Sequence, residues 1–329
     1  MAKKKDIKEE RIVYKPFEYP EASDYWLKQH QAHWIHTEVP MMSDINDWKQ
    51  NLTKNEKNII GSILKGFAQT ETVVNDYWTG LVTKWFRKPE IIMMATTFGA
   101  METIHAEAYS LLNEELGLDN FSEFLEDEAT MAKIETLMDI RDSFGGEKDW
   151  HEIAKSLAIF SAFTEGVNLF SSFAVLLSFK MRNKLKGVGQ IVEWSIRDES
   201  MHSEAGCWLF RTLLEENPDL KTPELETAIN EAALLSLKLE LDFIEKVYEM
   251  GDLEGCNKED LISFIKYRVN TKMGDLGYKP IINGIDVKAI ERMKWFDHLS
   301  AGKQHTDFFA SRVTNYSKGT MEWDASSIF

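Results

Sequence analysis

The chain has 329 residues, 43% hydrophobic and 28% charged, with 54 acidic against 38 basic side chains and a net charge of −16. That is enough apolar chain for about two domains or one large one, and it excludes a disordered polymer. The acidic balance argues against a nucleic-acid binder, and two cysteines, Cys207 and Cys256, cannot make a disulfide framework, so a cytoplasmic protein is expected.

Seven prolines and eighteen glycines suit long helices. Residues 1–15 are charged, lack the apolar stretch of a signal peptide, and are expected to be loose. Thr53 and Glu56 form a capping-box pattern ahead of a helical stretch to about Trp85. Pro89 suits a first helical position, and that helix is expected to run to Gly117. The next helix is expected over about 153–184. Within it, Leu157 to Phe179 is long enough to cross a bilayer, but Glu165 near its middle would be expensive in lipid. It reads better as a helix buried on all sides in a bundle, with no membrane association. Further helices are expected from Gly187 to Glu216, from Thr222-Pro223 to Gly251, from Asn257 to near Gly274, and over about 286–300. No hairpin or alternating strand signal stands out. The tail from about Thr314 has weak periodicity and is expected to be flexible.

Four of these helices place a carboxylate toward the core. Glu71 lies on the apolar face of Ile60, Ile63, Leu64, Phe67, Val74 and Trp78. The next helix aligns Phe98, Glu102, His105, Tyr109 and Leu112. Glu165 sits in the apolar third helix. The fourth aligns Val192, Ser195, Glu199, His202 and Gly206. Glu-x-x-His puts both side chains on one face, one turn apart. The spacing alone is common in a glutamate-rich chain; its weight comes from both pairs lying on core-facing stripes. Four carboxylates and two imidazoles make a hard, mostly oxygen ligand set. It suits two ions of iron or manganese in a carboxylate-bridged helical bundle. His30, His33 and His36, spaced by three, form a rival cluster that could bind zinc. No facing carboxylate accompanies them, and a partly exposed structural face is the preferred reading.

The blocks AQTETVVNDYW (68–78), METIHAEAY (101–109), FTEGVNLFSSF (163–173) and RDESMH (197–202) resemble the radical-generating small subunit (R2, or beta) of class I ribonucleotide reductase. The resemblance covers roughly residues 30–320. It implies an all-α, ferritin-like bundle at 16–313, usually a homodimer. A loose N-terminus at 1–15 and a tail at 314–329 that docks to a large catalytic subunit would flank it.

By position, the resemblance implies that Glu71, Glu102 and His105 bind one metal and Glu165, Glu199 and His202 the other, some of them bridging. It implies that Tyr109 is the radical tyrosine, that Trp34 begins the radical route with Asp198 as its hydrogen-bond partner, and that Tyr316 passes the radical onward. Trp323, Ile328 and Phe329 would anchor the tail on the large subunit. There are departures. Glu71 stands where the best-known members have Asp, as in subgroups with manganese–iron or dimanganese cofactors. The metal pair is therefore iron–iron, manganese–iron or dimanganese. Phe173 fits the pocket of the radical tyrosine, whereas Leu169 and Ser195 replace a common Phe and Ile.

Two cysteines and no phosphate-cradling glycine loop leave the chain unable to reduce a nucleotide alone. It would supply a radical to a partner. Two other functions compete. An R2-like ligand-binding oxidase shares the six ligands but cross-links a tyrosine to a valine; Val74 is present, and Phe160 occupies the tyrosine position. A ferritin-like storage protein would not need Trp34, Asp198 and Tyr316 together.

Overall fold

The computed structural model describes residues 5–118 and 149–300, with scattered positions between 131 and 139. Tyr316, Trp323, Ile328, Phe329 and the expected start of the tail at 314 lie outside the described residues. Among the described residues no strand forms, and a single isolated bridge pairs Leu253 with Cys256. The longer helices are α1 (Pro20–Gln31), α2 (Lys54–Asp76), α3 (Pro89–Glu115), α4 (Trp150–Ile159), α5 (Phe170–Met181), α6 (Lys186–Glu216), α7 (Pro223–Glu249) and α8 (Lys258–Asp275). Two short helices, Val287–Arg292 and Lys294–Ser300, come after them.

Local chemistry sets the ends of these helices. Thr53 and Glu56 close a full capping box on α2. Thr222 caps α7 through the Leu225 amide, and Asn257 caps α8 through the amides of Glu259 and Asp260. Gly117, at φ +72°, lets the chain turn away after α3. Beyond α2 the helix widens into a π-helical turn at Tyr77–Val82 before closing at Thr83–Trp85. The expected helix to Trp85 is thus present, with one looser turn.

The third expected helix differs most from its pattern. It is not continuous over 153–184. After α4 the chain makes a π-helical turn at Phe160–Thr164, unwinds through residues 165–169, and restarts as α5. The freed backbone groups are satisfied in other ways, as burial requires. The amides of Glu165 and Asn168 reach back five residues, to the carbonyls of Phe160 at 3.1 Å and Phe163 at 2.9 Å. The Arg268 guanidinium donates to the Gly166 carbonyl. The Asn168 side chain is held as well, its Oδ1 accepting from Ser236 Oγ at 2.5 Å. A Cβ on Gly166 would lie 2.2 Å from the Ala162 carbonyl oxygen, so the turn needs glycine there. On the facing helix, a Cβ on Gly206 would lie 2.1 Å from Ser161 Oγ. The π-helical turn therefore packs on α6 at backbone distance. An apolar pattern cannot announce such a break, because both halves are equally buried.

No helix among the described residues is long and apolar enough to cross a membrane. The segment 157–179 lies inside the bundle, and Leu157, Phe170, Val175 and Phe179 are fully buried. The pair α2–α3 faces the pair formed by α4–α5 and α6, with α1 laid across α3 and α6. One continuous apolar core fills the space between them. Within residues 5–15, expected to be loose, Ile7 and Arg11 meet the bundle while Ile12, Val13 and Tyr14 stay exposed. Ile7 is fully buried with its amide bonded to Glu216, and Arg11 pairs with buried Glu90.

Candidate metal centre

Glu71 on α2, Glu102 and His105 on α3, Glu165 on the unwound turn, and Glu199 and His202 on α6 converge in the middle of the bundle. None is more than 1% exposed. Donor atoms of Glu71, Glu102, His105 and Glu199 lie within 4.8 Å of one another, and so do those of Glu102, Glu165, Glu199 and His202. Glu102 and Glu199 belong to both groups. The helical register explains this: each Glu-x-x-His pair points both side chains at one level of the bundle, where the other pair faces it.

The two imidazoles present Nδ1 inward. His105 Nδ1 lies 3.0 Å from Glu102 Oε2 and 3.0 Å from Glu199 Oε1. His202 Nδ1 lies 2.7 Å from Glu102 Oε1. Several of these inward atoms are close without being aligned as hydrogen bonds. Both oxygens of Glu71, both of Glu199, Glu102 Oε1 and His202 Nδ1 have no hydrogen-bond partner. Buried polar atoms left in that state are costly unless something else satisfies them. Lone pairs aimed at a shared point, from oxygen and imidazole nitrogen, fit two hard or borderline divalent cations.

Charge supports the same fit. Burial, reinforced by the Glu102 charge, pushes the Glu71 carboxyl well above its usual range. Burial and Glu199 do the same to Glu165. Glu199 is pushed up to about 8 by burial and by Glu102. Burial acts to raise Glu102 as well, but His202 and His105 outweigh it and hold it at about 2. Four carboxylates cannot all ionise in a dry core without added positive charge. Two divalent cations supply the matching four charges, and binding them would expel the protons.

The outward face of each imidazole is also occupied. His105 Nε2 lies 3.2 Å from Asp198 Oδ2, and the same oxygen accepts the Trp34 indole N–H at 2.7 Å. Asp198 Oδ1 accepts Gln29 Nε2 at 3.1 Å, while Gln29 Oε1 lies 3.1 Å from His202 Nε2. One aspartate thus orients His105 directly and His202 through Gln29, leaving both Nδ1 atoms free to ligate. Burial would raise the Asp198 carboxyl, but its contacts with His105 hold it below the usual range.

Trp34 stacks on His105 with ring centroids 5.6 Å apart. Trp78 donates its indole N–H to Glu165 at 2.6 Å. Sequence reasoning did not single out Gln29 or Trp78 as partners of the site. Gln29 comes from α1, remote in sequence, and Trp78 from the π-helical turn after α2, so no spacing rule connects either to its partner.

Tyr109 is fully buried, edge-on to Phe67 at 4.8 Å. Neither its hydroxyl nor that of Ser195 makes a hydrogen bond of ordinary geometry. Burial, then the Glu71 charge, pushes the phenol's pKa well up, with His105 and Ser195 acting the other way. The phenol is therefore held protonated. Phe173 closes the pocket against Phe67 at 5.2 Å.

His30, His33 and His36 do not form a cluster. α1 ends at Gln31, so they share no helical face, and His30 and His33 are exposed. Phe160 stacks on Tyr77 at 3.5 Å and carries no phenol oxygen for a cross-link.

Comparison with known proteins gives a consistent result. A family model described as ribonucleotide reductase, small chain, matches residues 11–288. A probable ribonucleoside-diphosphate reductase small subunit of Invertebrate iridescent virus 3 is 34% identical over 332 residues, spanning 96% of this chain and 86% of that one. A putative class I ribonucleotide reductase from Bacillus halodurans superposes with a TM-score of 0.77 at 21% identity, over 85% of this chain and 99% of that one. The dimanganese(II)-NrdF of Streptococcus sanguinis superposes with a TM-score of 0.73, also at 21% identity, over 87% and 99%. At that identity the two structures speak for the fold.

Proposed function

The chain belongs to the ribonucleotide reductase small-chain family, and from that premise we propose how its buried cluster serves the reaction. The activity is that of the small subunit of a ribonucleoside-diphosphate reductase, working with a large catalytic subunit that holds the nucleotide. The observation that carries the reading is the pair of donor groups meeting at Glu102 and Glu199.

Glu71, Glu102 and His105 would hold one ion, and Glu165, Glu199 and His202 the other, with Glu102 and Glu199 placed to bridge. Either iron or manganese suits these donors. When bound, the metal pair supplies oxidising power drawn from oxygen or a reduced oxygen species.

The chain's own residues govern where the oxidising equivalent rests and how it leaves. Apolar packing around Tyr109 excludes water from the phenol and slows its reduction from solvent. In this proposal the Tyr109 side chain stores the oxidising equivalent as a neutral phenoxyl, having given up one electron and its hydroxyl proton to the metal site. Asp198 accepts the Trp34 N–H and so takes up positive charge as that indole gives up an electron. The same carboxylate keeps the Trp34 and His105 rings stacked. Tyr316 then carries the oxidation to the large subunit, with Trp323, Ile328 and Phe329 as docking anchors. The proposal includes a cytoplasmic homodimer, consistent with the family resemblance.

The test is low-temperature EPR of protein loaded in turn with iron, manganese and both, then exposed to air. A sharp organic signal that vanishes in Tyr109→Phe establishes tyrosyl storage. A metal-centred mixed-valent signal that survives the substitution moves the store to the metals and makes Tyr109 a relay or core residue.

A further inference from the structure

We propose that Trp194 is the next redox station after Trp34, carrying the oxidising equivalent from the buried indole to the protein surface. This rests on the reading of Trp34 given above and extends it. Trp34 cannot meet a partner protein itself, because it is only 2% exposed. Its ring has two aromatic neighbours. One is His105, stacked at 5.6 Å. The other is Trp194, tilted by 45° with ring centroids 5.2 Å apart. That separation is aromatic van der Waals contact. Electron tunnelling falls steeply with distance, so touching indoles exchange an electron far faster than rings separated by a side-chain layer.

Trp194 is placed to act outward. It lies on α6, one turn before Asp198, and packs on the core while staying half-buried. Exposed Ile35 comes directly after Trp34 in the chain, and the Arg197 guanidinium bonds to the Ala32 carbonyl at 2.5 Å. The loop carrying Trp34 is thereby held against α6, which fixes the spacing of the two indoles. Tyrosine and tryptophan are the side chains suited to such a step, and among the described residues Trp194 is the one such ring in contact with Trp34.

The step balances as a single-electron exchange. Trp194 gives one electron to oxidised Trp34. Trp34 recovers its Nε1 proton from Asp198, which returns to the carboxylate. Trp194, now one electron short, takes an electron from the next phenol or thiol donor on the way to the large subunit, and that donor's proton leaves to water. The missing electron is finally supplied by the large subunit in the established reaction.

The test compares the full chain with Trp34→Phe, Trp194→Phe and Trp194→Tyr, each loaded with metals. One readout is nucleotide reduction with the large subunit added. The other is the rate at which ferrocyanide, a reductant confined to the surface, discharges the stored EPR signal. Trp194→Phe keeps a ring of similar shape and is expected to slow both by about tenfold or more at unchanged signal yield, while Trp194→Tyr, still oxidisable, restores them. A purely structural role would leave Phe and Tyr equal. Wild-type values for Trp194→Phe, with Trp34→Phe impaired, would overturn the role of Trp194 alone. Wild-type values for both Phe variants would remove the Trp34 route itself.

Discussion

Trp34 and His105 converge on a single oxygen, Asp198 Oδ2, at 2.7 and 3.2 Å. One carboxylate atom therefore couples the orientation of the proposed ligand His105 to the hydrogen bond of Trp34, the proposed redox indole. Asp198→Asn should damage both. Metal affinity should fall about tenfold or more, because the group orienting a ligand is lost. Nucleotide reduction should fall further than metal loss explains, since an amide accepts a proton poorly. Turnover that tracks metal content alone would separate the two roles.

Trp78→Phe tests the other oriented ligand. Glu165 accepts the Trp78 indole N–H at 2.6 Å, a charge-assisted bond once the carboxylate ionises. Removing the donor should weaken binding of one ion by about tenfold and leave the other unchanged. Calorimetric titration would then show two unequal steps. Identical isotherms for the variant and the wild type would remove Trp78 from the site.

Tyr109→Phe should abolish an organic radical signal without loosening the fold. The hydroxyl has no hydrogen-bond partner, so its removal deletes an unsatisfied polar group. Stability should stay level or rise by up to about 1 kcal/mol. A melting temperature well below wild type would point to a structural tie that this hydroxyl makes.

Metal-free protein should lose stability as pH rises. Burial, then the Glu102 charge, takes Glu199 from 4.5 in the unfolded chain to about 8 in the folded one. Between those values the folded chain holds a proton that the unfolded chain has released, so each step up in pH favours unfolding. Glu71 and Glu165 shift in the same direction. Thermal melts in chelator should therefore fall from pH 5.5 to pH 8, and metal loading should reverse the trend. Flat or rising melts over that range would contradict it.

Gly206→Ala should destabilise the protein by about 1–3 kcal/mol through overpacking against Ser161. Ser161→Gly opens the space that the new methyl needs, so the double variant should recover much of the loss. Additive losses in the two variants would show that the helices are not in contact at this point.

Much of this organisation was legible because helices carry a period. Glu71, Glu102, His105, Glu199 and His202 could be placed on core-facing stripes from spacing alone, and the capping residues Thr53, Thr222 and Asn257 marked helix starts. The break at 165–169 was not legible. Its cause is a close approach by α6 and bonds from Arg268 and Ser236, none of which leaves a trace in the local pattern. Gln29, Trp78 and Trp194 were missed as partners for the same reason. Each meets the site or its indole only through tertiary packing. His30, His33 and His36 show the converse case: the regular spacing that offered zinc as a rival reading has no meaning once the helix has ended, and their exposure agrees with the preferred reading.

The unwound turn makes the two halves of the metal centre mechanically unequal. Glu71, Glu102 and His105 project from continuous helices, whose backbone fixes each Cα. Glu165 rides on a stretch that has given up its regular ladder and is moored from outside. Glu199 and His202 also project from the continuous α6, so one half is a stiff socket and the other has a single sprung jaw, Glu165. Loading should then be ordered: the first ion seats in the socket without rearrangement, and the second is gripped as the jaw settles. The same compliance would give Glu165 freedom to change its binding mode if bound metals changed charge, while the opposite half would stay in register with Tyr109 and Trp34.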